Sequence, residues 1–116
     1  MFFKKMSTLE KVLNDYNLLF KTWKKESFKD DSIDEITYSK DNIKFVFQED
    51  LREHITNLFI ISFQKKIGKI YYREVMLDEE LLGVEELRKE MALLKNNSEK
   101  QEVEIYINFL KQNKLL

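Results

Sequence analysis

The chain has 116 residues, 43% of them apolar and 35% charged, with a formal net charge of −1. That length buries one core, and the composition is that of a soluble globular protein rather than a disordered or fibrous one. The absence of cysteine excludes disulfides, thiolate nucleophiles and sulfur-ligated zinc, and fits a reducing compartment. A single α+β domain over residues 1–116 is the expectation. The opening residues lack the apolar stretch of a secretory signal, and no run approaches the ~20 apolar residues that span a bilayer. The sequence therefore reads as cytoplasmic, with no membrane contact, and Met6 is as good a natural start as Met1.

Ser7-Thr8-Leu9-Glu10 fits a capping box, in which the Ser7 hydroxyl accepts the Glu10 amide and the Glu10 carboxylate accepts the Ser7 amide. A helix starting there carries Leu9, Val12, Leu13, Tyr16, Leu19, Phe20 and Trp23 at i, i+3, i+4, i+7 spacing. It is expected to fade between Glu26 and Ser32. Residues 33–39 read as a strand, and Lys40-Asp41-Asn42 as a turn, because Asp and Asn tolerate positive φ. Residues 43–48 alternate, with Ile43, Phe45 and Phe47 on one face. Residues 49–53 are too charged for a buried strand and read as a loop or single helical turn. Residues 55–65 form a third strand, with Leu58 and Ile60 making both of its faces apolar, so it is expected to be central and covered on both sides. Lys66-Ile67-Gly68 reads as a tight turn, followed by a fourth strand over residues 69–77.

Asp78 is a good N-cap, with Glu79 and Glu80 in the first turn where the helix dipole favours negative charge. The helix expected from there to about Lys95 has Val84, Leu87, Met91 and Leu94 as its apolar stripe, tolerates Gly83 at a cost of ~1 kcal/mol, and ends at Asn96-Asn97. Ser98-Glu99-Lys100-Gln101 is a second capping-box match opening a last helix with Val103, Tyr106, Ile107 and Leu110 on one face. The predicted architecture is α+β: a four-stranded antiparallel sheet with one N-terminal and two C-terminal helices packed on it.

No catalytic motif stands out. His54 is the only histidine, and Asp50 or Glu53 could orient it as a general base, but a lone His at a loop-strand junction is ordinarily structural. One His and scattered carboxylates lack the spacing of a zinc site or a calcium loop, so neither metal nor cofactor is expected. Aromatics beside lysines, as in residues 20–25 and 69–73, suggest base stacking, yet Phe20 and Trp23 belong to a core-facing stripe and Tyr71 and Tyr72 alternate between strand faces. Direct nucleic-acid binding is not expected, nor is enzymatic activity.

The charge distribution says more than its sum. Residues 30–54 hold eight acids against three bases, and residues 78–104 nine against four. The first block comprises Asp30, Asp31, Asp34, Glu35, Glu49, Asp50 and Glu53; the second includes Asp78, Glu79, Glu80, Glu85, Glu86 and Glu90. Acids in loops and at helix starts are also what solvated segments contain. A small, cysteine-free α+β chain with acidic clusters and no catalytic constellation resembles the immunity proteins of bacterial toxin systems, in particular those of contact-dependent growth inhibition. The resemblance is one of overall habit across the chain and rests on no residue motif. It implies a protein that, as a monomer or weak dimer, binds a cognate toxin domain, often a basic nuclease, and blocks it, with the acidic residues as contact surface. The alternative is a dimeric adaptor or secretion-chaperone-like module that binds through apolar surface, since Ile105, Phe109, Leu115 and Leu116 fall off the main stripe of the last helix.

Overall fold

The computed structural model describes residues 8–62, 66–71, 74–77, 81–93 and 99–116, with side chains described outside residues 62–80. In chain order the elements are α1 (Thr8–Asn14), β1 (Lys24–Lys29), β2 (Ile33–Lys40), β3 (Ile43–Asp50), β4 (Ile55–Ser62), β5 (Lys66–Tyr71), β6 (Glu74–Leu77), α2 (Val84–Leu93) and α3 (Glu99–Gln112). The fold is α+β as expected, with one N-terminal and two C-terminal helices on an antiparallel sheet. The sheet is larger than the four strands expected: six strands lie in the order β1-β2-β3-β4-β5-β6, each paired with its neighbour in the chain.

The two additional strands come from segments whose patterns carried other signals. β1 was expected to be the tail of the first helix. All six of its residues are exposed because it is an edge strand beyond the helical layer, so it shows neither an apolar stripe nor alternation. The expected fourth strand is two strands, β5 and β6, paired so that Tyr71 faces Glu74. Residues 66–68, expected to be a turn, lie in β5, with Gly68 opposite Ile60.

The first helix is also shorter than its apolar spacing suggests. It ends at Asn14, and the chain winds on through turns bonded mostly from residue i to i−3, such as Tyr16 N to Leu13 O and Trp23 N to Phe20 O. Asn14, Asp15 and Asn17 are poor helix interiors because their side chains offer local hydrogen bonds, and Asn17 Nδ2 does donate to Asn14 Oδ1 at 3.2 Å. The apolar residues of the stripe still reach the core from this path. The Phe20 ring stacks on Tyr38 at 3.8 Å between centroids, and Trp23 on Phe45 at 5.0 Å.

The register Ile36–Phe47–Leu58 and Tyr38–Phe45–Ile60 lines up one sheet face. Those six side chains are buried with Leu9 and Leu13 of α1, Leu87 and Met91 of α2, and Val103, Tyr106, Ile107 and Leu110 of α3. All three helices therefore cover the same face. β4 is central and, as expected, covered at least in part on both sides: on the face away from the helices Asn57 is buried, as is Val46 opposite Phe59, while Phe59 and Ile61 are half-buried. Among the described residues no helix is long and apolar enough to cross a membrane.

Candidate functional site

The turns that join β1 to β2 and β3 to β4 lie at the same end of the sheet, and each is built on an aspartate. Asp30 Oδ1 accepts the amides of Ser32 and Ile33 at 2.7 and 2.8 Å. Those amides favour the ionised carboxylate and lower its pKa. Asp50 Oδ1 likewise accepts the amides of Arg52 and Glu53 at 2.9 and 3.1 Å. The second turn closes with His54 N donating to Asp50 O and His54 at φ +56°. Only residues 51–54 form the expected turn: Glu49 and Asp50, expected outside any buried strand, end β3, and Glu49 is buried in it because α3 covers that end of the sheet. The turns are laced to each other: Leu51 N donates to Ser32 O at 2.9 Å, and the Arg52 guanidinium to Ser32 Oγ at 3.3 Å.

The N-terminal half of α3 docks on this end through Thr56 at the start of β4. The Thr56 amide donates to Glu102 Oε2 at 2.6 Å, its hydroxyl reaches Glu99 Oε1 at 3.5 Å, and the Tyr106 hydroxyl donates to Thr56 O. Register places Asp34, Glu49 and Thr56 in one row beneath α3. Asp34 is 4% exposed, Glu49 8% and Glu102 1%. Burial drives the Glu99 carboxyl up to about 8, reinforced by Glu49, Asp34 and Glu102. Burial also raises Glu49, with Asp34 adding to the rise and its neighbours Glu99, His54 and Lys29 opposing it. Asp34 Oδ2 and Glu99 Oε2 are buried without a hydrogen-bond partner.

The residues expected to contact a partner thus separate into groups. Asp30, Asp31 and Glu53 are exposed and Asp50 partly so, on the outside of the laced turns. Asp34 and Glu49 lie inside, under α3, and contribute no outer surface. Glu35 is on the opposite sheet face, where its carboxylate accepts Gln48 Nε2 at 3.1 Å. Asp78, Glu79 and Glu80 lie outside the described residues, as do Ser7, Leu94, Asn96, Asn97 and Ser98 of the expected caps and stripe. Glu85 and Glu86 are exposed in the first turn of α2, Glu85 paired with Arg88 at 2.8 Å.

That turn is at the far end of the molecule. Leu82 N donates to Asn113 Oδ1 at 2.7 Å just past the C-terminus of α3, whereas Glu99 begins α3. A helix the length of α3 separates its ends by roughly 20 Å. Glu85 and Glu86 therefore do not share a face with the acidic turns.

His54 is exposed, and Asp50, one of the carboxylates considered as its partner, already holds two turn amides through Oδ1. Among the described residues no group of three or more His, Cys, Asp or Glu is placed to hold a metal ion. Phe109 is buried, and Ile105, Leu115 and Leu116 pack against the core, so these four widen the buried stripe instead of offering apolar surface.

Sequence reasoning missed Glu99, Glu102 and Thr56. A signal existed: Glu99 and Glu102 fall at helical spacing with Val103 and Tyr106, and Asp34 and Glu49 keep the inward phase of Ile36, Tyr38, Phe45 and Phe47. Carboxylates in phase with the core mark a built polar cluster. Comparison with the models of known families, with curated proteins and with solved structures finds nothing that this chain matches.

Proposed function

We propose that the protein binds and neutralises a basic protein domain, as the immunity protein of a bacterial toxin system does, through the acidic end of the sheet. The observation that carries this reading is the lacing of the two aspartate-built turns by the Leu51–Ser32 hydrogen bond, which holds Asp30, Asp31, Asp50 and Glu53 together on a fixed backbone. Carboxylates presented on hydrogen-bonded turns lose little conformational entropy on binding, and complementary charge orients the encounter and speeds it. Lys29 and Arg52 lie at this end and leave the acids in excess. An adaptor acting through its last helix gains no support, because the residues that suggested it are packed on the core.

The test is capture of the partner from the native host at low salt, followed by association kinetics with the purified partner. A single basic protein, toxic when expressed alone and rescued by this chain, is the expected partner. Asp31→Lys with Glu53→Lys should slow association at least tenfold at low salt while leaving the circular dichroism and thermal unfolding unchanged. Glu85→Lys with Glu86→Lys, at the far end, should have a much smaller effect. Equal effects of the two pairs, or an association rate indifferent to salt, would remove the acidic end as the contact.

A further inference from the structure

We infer that Glu49 and Glu99 hold a single proton between them, and that this proton latches the first turns of α3 onto the end of the sheet and releases them when it is lost. The inference concerns the isolated chain and does not depend on the partner reading.

The geometry crowds carboxyl groups together: register sets Asp34 and Glu49 in a row with Thr56, Thr56 bonds to both Glu99 and Glu102, and Asp34 Oδ2 and Glu99 Oε2 are buried with no donor facing them. Two carboxylates have acceptors and no donor, so Glu49 and Glu99 can face each other without repulsion only while one of them is protonated. Glu49 is buried beneath α3 and Glu99 half-buried at its start, so a second charge there would be poorly solvated beside another carboxylate. From β2, Asp34 faces both members of the pair; from α3, Glu102 faces Glu99; from β1 and the β3–β4 turn, Lys29 and His54 face Glu49. β4 contributes Thr56, which does not titrate, and Tyr106 stays neutral because burial and Glu102 raise it far above its ordinary value. Lys29 and the His54 ring lie on the Glu49 side, which places the proton preferentially on Glu99.

The same residues dock the helix. Glu99 and Glu102 are the first-turn acids of α3, and both reach across to Thr56. With the proton in place, Glu99 can bond to Glu49 without repulsion. Once it leaves, Glu49 and Glu99 are like charges in a half-dry space shared with the carboxyl groups of Asp34 and Glu102, and the relief available is to lift the start of α3 into solvent. The rest of the helix stays, held by Val103, Ile107 and Leu110 in the core.

The direction with pH follows. Glu99 binds its proton more tightly folded than unfolded, so the folded chain keeps a proton that the unfolded chain loses above the ordinary carboxylate range. Stability is full in mild acid, declines as pH rises toward about 8, and is level beyond. One linked proton limits the decline to roughly tenfold in the unfolding constant per pH unit.

The experiment is a carboxyl-carbon NMR titration of the full chain from pH 4 to 10, with urea unfolding and amide exchange at pH 5, 7 and 9. One resonance of the Glu49–Glu99 pair should titrate above pH 7. The unfolding constant should rise several-fold per unit between pH 5 and 8. After correction for base-catalysed exchange, amides in the first turns of α3 should lose at least tenfold protection between pH 7 and 9, while those after Tyr106 keep theirs. Glu99→Gln, which donates to Glu49 without a titrating proton, should flatten all of these responses. Glu49→Gln should do the same and serves if the first variant does not fold. Titration of both carboxyls below pH 5.5, a slope that persists in the variants, or uniform protection along α3 at pH 9 would overturn the latch.

Discussion

Carboxylates at one end of this sheet respond to pH in opposite directions. Asp30 is stabilised as an anion by two amides, so its contribution to the β1–β2 turn is present at neutral pH and lost as acid protonates it. Glu99 is stabilised as an acid, and its contribution is lost toward alkaline pH. What separates them is that Asp30 is exposed and faces two N–H donors, whereas Glu99 is drawn out of water among other carboxyl groups. Tyr38 shows a related effect without a charge change. Its hydroxyl is buried with no hydrogen-bond partner, and burial and Glu10 push it up to about 12. Removing an unpaired buried hydroxyl while keeping the stacked ring should cost nothing, so Tyr38→Phe is expected to leave stability unchanged or raise it by up to about 1 kcal/mol in urea unfolding. At this scale the sequence was readable for apolar core residues and misleading for polar ones. Ile36, Phe45, Phe47, Leu58 and Ile60 are buried as their alternation implies. Asp34 and Glu49 share that phase but were read as surface by chemistry, because charge ordinarily outweighs periodicity. Their burial depends on a partner 50 or more residues away, which no local pattern contains.

Among the elements, those with a strong period appear where expected and those with weak or competing signals do not. β2, β3 and β4 follow their alternation closely, and the turn between β2 and β3 uses Asp41 at φ +54°, as Asp and Asn there suggested. β1 has no apolar face to announce it. The division between β5 and β6 is marked in the sequence only by a change of parity, from Ile70 to Val75 and Leu77, with no Gly, Asn or Pro between. Gly83 was read as a helix-interior residue; instead α2 starts one residue later, and Gly83 takes φ +76°, the left-handed region where a side chain is strained. A Cβ there would also lie 2.7 Å from Gln112 Nε2. Gly83→Ala should therefore destabilise by about 1–3 kcal/mol. The double variant with Gln112→Ala should recover only the steric part, as thermal unfolding of both will show.

Along β2 and β3 the described charges are polarised. One end carries the acidic turns. At the other, Lys40 and Lys44 flank the β2–β3 turn, and Lys40 Nζ donates to Thr22 Oγ1 at 3.0 Å beside Lys21, Lys24 and Lys25. Strands of eight residues, such as β2 and β3, separate the two ends by roughly 26 Å, about three screening lengths at physiological salt. The lysines therefore do not neutralise the acids, and a near-zero net charge says little about either end. The strand order has a kinetic consequence as well. Since every strand pairs with the next in sequence, each hairpin closes a short loop and the sheet assembles from cheap local steps, while joining α1 to α3 closes nearly the whole chain. The rate-limiting barrier should accordingly be crossed with the β2–β3–β4 meander formed and the helical layer still arriving. Stopped-flow chevrons test this: Phe47→Leu should chiefly slow refolding, and Leu110→Ala should chiefly accelerate unfolding.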